Sequence, residues 1–238
     1  METQTKQYTP RVVRGRIELW VPHNDREIAF AYPSHGPDNY RNVGKSILDN
    51  NQSVPNGDYT SSLLHSAYCD DFVLNEPEMK NVRETMKNRW LWVFNRNLWT
   101  NEGVYVIQDE NAVGRSQELS VKDLEEMLKG GKEINGIRFS QDGKTRFAPK
   151  GSYDSGYTTP EKFVKDGFIV ASCNQEGAEK LGEVASKFRN QPYIYTVNVE
   201  EGQNPEQRVS AVIGDDDGLW FYGSWCGSDR CLAFGVLK

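Results

Sequence analysis

The chain reads as an α+β protein, with a mixed or mainly antiparallel sheet and helices packed on it. Three observations point there. Short period-two apolar runs are spread along the whole chain, and amphipathic helical windows separate only some of them. The last third runs strand, helix, strand and then a meander, which is not a repeated βα unit. The aromatic load, ten Phe, eleven Tyr and six Trp in 238 residues, argues against disorder and for a large core. A chain of this length buries roughly 70–75% of its unfolded surface.

Residues 1–11 are polar, end near Pro10 and read as a flexible arm. Residues 12–238 read as a single α+β domain, with a further division into an N-terminal lobe 12–100 and a C-terminal lobe 101–238. Val12 to Val21 predicts a strand with Val13, Ile17, Leu19 and Val21 on one face, interrupted at Gly15. Ile28 to Tyr32 predicts a second. Ser34 to Asp58, rich in Pro, Gly, Asn and Asp, predicts a linker or functional loop. Asp58 or Thr60 is placed to cap a helix carrying Leu63, Leu64, Ala67 and Tyr68. Asn75, Pro77 and Glu78 form a capping-box pattern ahead of Met79, Val82 and Met86.

Trp90 to Phe94 is apolar throughout and predicts a buried strand, and Val104 to Ile107 another. Ser120 as N-cap, with Leu119 and Leu124 as a hydrophobic staple and Gly130-Gly131 as a stop, predicts a short helix. Asp142-Gly143 between two apolar runs predicts a hairpin with a type I′ turn. Gly167 to Ser172 predicts a strand. Gln175 to Phe188 predicts a helix with Ala178, Leu181, Val184, Ala185 and Phe188 on one face. Tyr193 to Val199, Arg208 to Ile213, Leu219 to Tyr222 and Leu232 to Leu237 complete the strands.

The formal charge of −6 gives no basic field for nucleic acid or anionic lipid, and no apolar run approaches a membrane span. Met1 to Lys6 has no apolar segment of a secretory leader, and four cysteines are too few for a disulfide framework. Together these predict a cytoplasmic protein with reduced thiols, Cys226 and Cys231 lying close enough in sequence to meet across a turn.

Gly44-Lys45-Ser46 ends like a phosphate-binding loop, but the required earlier glycine is Asn39. His23, His35 and His65 lack metal-ligand spacing from one another, and no Cys-x-x-Cys stands near them, so no metal and no cofactor are expected. Trp90, Trp92, Phe94 and Trp99 among basic residues read as a core strand, and Asp215-Asp216-Asp217-Gly218 as a solvated turn. His65 and Asp70 stand among Ser66, Cys69 and Asp71, which together offer base, nucleophile and carboxylate types.

From Gly103 to about Gly214 the order of elements resembles mono-ADP-ribosyltransferases of the cholera and pertussis toxin type. The likeness rests on Gly103-Val104-Tyr105-Val106, on Asp166 to Ser172, on Pro192 to Tyr195, and on Pro205 to Ala211. The family's NAD-orienting Arg falls at Val106, its Ser-Thr-Ser triplet at Ala171-Ser172-Cys173, and its second catalytic Glu at Arg208. The resemblance therefore implies the fold of a nucleotide-binding half without its catalytic pair.

These readings give a non-catalytic interaction or small-ligand-binding protein, whose partner is an unknown protein or small molecule. The alternative is an enzyme with an ADP-ribosyltransferase-like C-terminal half. Its catalytic candidates are His65, Asp70 and Glu206, and its ligand-binding candidates are Ser172 and Asn174, at a strand-to-helix junction whose free N–H groups suit an anion.

Overall fold

The computed structural model describes residues 8–13, 18–215, 218–227 and 230–238. Gly15 and Ile17 of the first expected strand, Asp216-Asp217, and Ser228-Asp229 between the two C-terminal cysteines lie outside them. β1 (Arg11–Val13), β2 (Glu18–His23) and β3 (Arg26–Ala31) form a small antiparallel sheet. Then follow β4 (His35–Asp38), α1 (Tyr40–Asp49), α2 (Gly57–Cys69) and α3 (Pro77–Asn88). The middle of the chain supplies β5 (Leu91–Trp99), β6 (Gly103–Gln108), α4 (Val121–Leu128), β7 (Lys132–Ile134), β8 (Ile137–Phe139) and β9 (Thr145–Pro149). The last third supplies β10 (Gly156–Tyr157), α5 (Pro160–Phe163), α6 (Gly167–Ala185), β11 (Tyr193–Tyr195), β12 (Glu206–Gly214), β13 (Leu219–Trp225) and β14 (Cys231–Ala233).

The main sheet runs β10-β11-β13-β12-β5-β6-β9-β8-β7, with β14 beside β5 and β4 beside β14. Its pairings are antiparallel except β11 with β13 and β14 with β5. The α+β reading therefore holds. β5 is the centre, with all nine residues buried. Its apolar run alternates between two cores. Val93 and Trp99 join α2, α3 and α6 on one face; Trp92 and Phe94 join Tyr40, Val43 and Ile47 of α1 on the other. α4 lays Leu124 and Leu128 on Leu98, Tyr105 and Phe147. The buried amides of β5 also hold the layers together. Nδ2 of Asn95 donates to the Ser172 carbonyl (2.9 Å), and Nδ2 of Asn97 donates to Ser210 Oγ and the Gly223 carbonyl (both 2.9 Å). No helix among the described residues is long and apolar enough to cross a membrane.

Several local expectations change. Ser34 to Asp58 is no linker. It holds β4 and α1, and Gly44-Lys45-Ser46 sits inside the helix. Gly167 to Ser172 is helical, the first half of α6, because Asp166 Oδ1 accepts from the Phe168 and Ile169 amides and caps it. A helix buried on all sides shows no period, so its apolar run passes for a strand. The helix breaks at Asn174 (φ 62°) and resumes at Gln175. The N-cap of α3 is Glu76, not Asn75, and it makes no side-chain cap bond. The Asp142-Gly143 hairpin is present, but only Gly143 (φ 70°) has positive φ, so its turn is not type I′. The Asn-Gly pair at 135–136, with φ 53° and 79°, makes the type I′ turn between β7 and β8.

Candidate functional site

One half of the sheet's second face has no helix on it among the described residues. Over β5 and β12 that face is covered by α1. Over β13, β11 and β10 it carries aromatic rings. The strand period of two puts Trp220 and Tyr222 of β13 there, while Leu219, Phe221 and Gly223 turn to the other core. Parallel pairing then sets Tyr193 against Trp220 and Tyr195 against Tyr222, and β10 adds Tyr157 beside Tyr193. Trp225 and Trp90 close the row at its other end, with ring centroids 4.5 Å apart. Six of these seven residues are half-buried, and Tyr157 is exposed.

The rings pack on one another. Tyr195 and Tyr222 stack at 3.8 Å and 18°, Tyr193 lies 4.2 Å from Tyr195, and Trp90 meets Tyr222 edge-on at 4.4 Å. Burial, and next the hydrogen bond with Tyr195, hold the Tyr222 phenol far above its ordinary range, so it stays a neutral donor and acceptor. Tyr195 and Tyr222 thus cover a face of each other, while the tilted and edge-on neighbours add ring edges and polar N–H and O–H groups to the surface.

The row leads into an open cleft of ≈ 760 Å³ at the Cys226-Gly227 bend. Its walls are the start of α1, with Arg41 and Lys45, and the loop carrying Arg115. Asp109 builds that loop: it accepts from the Val113 amide (3.1 Å), the Gly114 amide (2.6 Å) and the Tyr40 hydroxyl (3.1 Å). The Tyr40 amide in turn donates to the Gly227 carbonyl (3.3 Å), and Arg115 Nη1 to the Cys226 carbonyl (3.3 Å). Basic groups outnumber acidic ones in this lining, where Asp49 pairs with Lys45.

The residues singled out from the sequence are dispersed. His65 lies on α2 with Nε2 2.8 Å from Glu183 Oε2 of α6. Asp70 ends α2 and accepts the Phe72 amide (3.0 Å). Glu206 opens β12, opposite Trp99, and pairs with Arg208. Ser172 is buried inside α6, its carbonyl held by Asn95. Asn174 Oδ1 accepts the Gln175 amide (3.0 Å) at the kink. α2 brings His65 to α6 nine residues beyond Asn174, about 13 Å along a helix; neither residue lines the large cleft. The other two histidines are held in packing: His23 Nδ1 is 3.0 Å from Ser62 Oγ, and His35 bridges Ser46 and Gln52 (both 2.9 Å). The aromatic face escaped sequence reading because its rings come from four separated segments. The alternation Trp220-x-Tyr222 and Tyr193-x-Tyr195 was the available local signal.

No protein-family model matches the sequence, and no curated protein matches it. Among solved structures the chain is similar to one described as "Accommodation of massive sequence variation in Nanoarchaeota by the C-type lectin fold". The TM-score is 0.51 at 12% identity, over 86% of this chain and 96% of that one. This overturns the resemblance to ADP-ribosyltransferases. The physical reason is visible in α6, since the segment aligned with that family's middle strand is a capped, buried helix. At this identity the likeness speaks for architecture alone: the chain has a fold similar to the C-type lectin fold.

Proposed function

We propose that this is a non-catalytic binding protein that engages a protein partner through the aromatic face, with the adjoining cleft receiving an acidic group of that partner. The observation that carries the reading is the row of seven Tyr and Trp side chains on the uncovered half of the sheet. Tyr and Trp give large contact area at small entropic cost, and they dominate the energetics of protein interfaces. An exposed aromatic patch rimmed by polar groups marks an interaction surface. The face-to-face stack of Tyr195 on Tyr222 favours a protein over a sugar, because a sugar ring needs an open ring face and these two rings cover each other. Arg41, Lys45 and Arg115 give the cleft a basic lining suited to a carboxylate. The solved neighbour's fold is described as one that accommodates massive sequence variation. On such a scaffold function belongs to the site.

Trp220→Ser and Tyr222→Ser variants test this on arrays of immobilised proteins and of glycans. The expected result is protein binding by the parent that drops at least about tenfold in each variant, with thermal midpoints preserved. Saturable glycan binding abolished by the same variants would replace the protein partner with a sugar. Binding that survives both substitutions would place the site elsewhere.

A further inference from the structure

We propose that His65 and Cys69 of α2 and Glu183 of α6 form a binding site for a zinc-class transition-metal ion between the two helices. The site lies on the helical side of the sheet, away from the aromatic face. His65 and Cys69 are four residues apart and so project from one stripe of α2. Glu183 comes from α6, which packs along α2 closely enough that a Cβ on Gly57 would sit 2.0 Å from the Ser172 carbonyl oxygen, and one on Gly177 3.2 Å from Ser61 Oγ. The backbones that present the three donors are therefore fixed relative to each other.

One ligand atom from each of the three residues lies within 4.8 Å of the others, and His65 Nε2 already points at Glu183 Oε2 across 2.8 Å. Zinc bonds of about 2.0–2.3 Å in tetrahedral arrangement set donors roughly 3.3–3.8 Å apart, so side-chain shifts of about 1 Å suffice. Glu183 has that freedom, its side chain being 65% exposed. Imidazole, thiolate and carboxylate together match zinc among the biological divalent ions, whereas calcium and magnesium take oxygen.

Coordination replaces the His65–Glu183 hydrogen bond. With the imidazole neutral, its proton moves to Nδ1, Nε2 binds the ion, and the Cys69 thiol gives one proton to solvent. Three protein donors leave a fourth position for water.

The test is competition for Zn²⁺ between the reduced full-length chain and a chromophoric chelator, with Co²⁺ as a spectroscopic probe. The expected result is one Zn²⁺ per chain and a raised thermal midpoint. Cys69→Ser and His65→Asn should each weaken affinity by about 100-fold or more. Glu183→Gln should weaken it less, and a Cys226→Ser control should leave it unchanged. Co²⁺ should give a thiolate charge-transfer band that is kept in the Cys226→Ser chain and lost in Cys69→Ser. If Cys69→Ser does not fold, the band in the Cys226→Ser chain still decides. No stoichiometric zinc, no such band, or zinc binding that persists without Cys69 would overturn the proposal.

Discussion

Gly143 shows how little room a single turn position leaves. Its φ is 70°, yet nothing lies within 4 Å of where a Cβ would be, so the backbone conformation alone selects glycine. Gly143→Val should lower stability by about 1–2 kcal/mol, and Gly143→Asn by less, because Asn tolerates this region. Denaturant midpoints of the two variants measure the difference. His23 gives a pH signature. Burial, and then the Lys180 charge, hold its imidazole down at about 4 from an ordinary 6.5. Between those values the unfolded chain binds a proton that the folded chain does not. His23's contribution is therefore complete above about 6.5 and lost as the pH falls towards 4. Asp166, raised by burial to about 6, acts with the opposite slope: its folded form binds the extra proton between 3.8 and 6. The His23 effect is thus read as a difference, and a His23→Asn chain should lose less stability than the parent between pH 7 and pH 5.

The crossing of α2 on α6 depends on absent side chains. Gly57→Ala should destabilise by about 1–3 kcal/mol, since its Cβ meets the Ser172 backbone and not a movable side chain. An unchanged thermal midpoint would mean that the helices can separate freely. Such elements differ in how far a sequence announces them. α3 and α4 are amphipathic, so Met79, Val82 and Met86, or Leu124 and Leu128, mark their buried stripes directly. Ser120 likewise caps α4 as its pattern implies, accepting the Asp123 amide at 3.4 Å. α1 hides in a polar stretch, although Tyr40, Val43 and Ile47 keep helical spacing. The first half of α6 hides for the reverse reason, being buried all round. The metal cluster is half legible: His65 and Cys69 share a helix stripe, but Glu183 joins them only through tertiary packing, 118 positions from His65.

The interleaving of early and late strands sets the behaviour of the entire chain. A cut between residues 100 and 101 would part β5 from β6, which pair from Asn95–Gln108 to Trp99–Val104, and would also strip β12 from β5. Fragments 12–100 and 101–238 should therefore stay unfolded when expressed apart. The intact chain should melt in one transition, with calorimetric and van't Hoff enthalpies equal. Two separate transitions would show that the halves are independent domains.

The segment from Cys231 to Val236 pairs with some of the earliest residues. Cys231 and Ala233 register with Asp38 and His35, Val236 bridges to Phe30 and Ser53, and Leu237 donates its amide to the Ala29 carbonyl (2.8 Å). On a ribosome, at about 5–20 residues per second, the roughly 200 residues between Phe30 and Val236 take about 10–40 s to appear. Until then β3 and β4 have their own hairpin and helix neighbours but lack the clasp that joins them to the main sheet. Final closure therefore waits for the segment from Cys231 onward, and the β3 edge left open meanwhile is the part of the nascent chain that a chaperone would have most reason to cover.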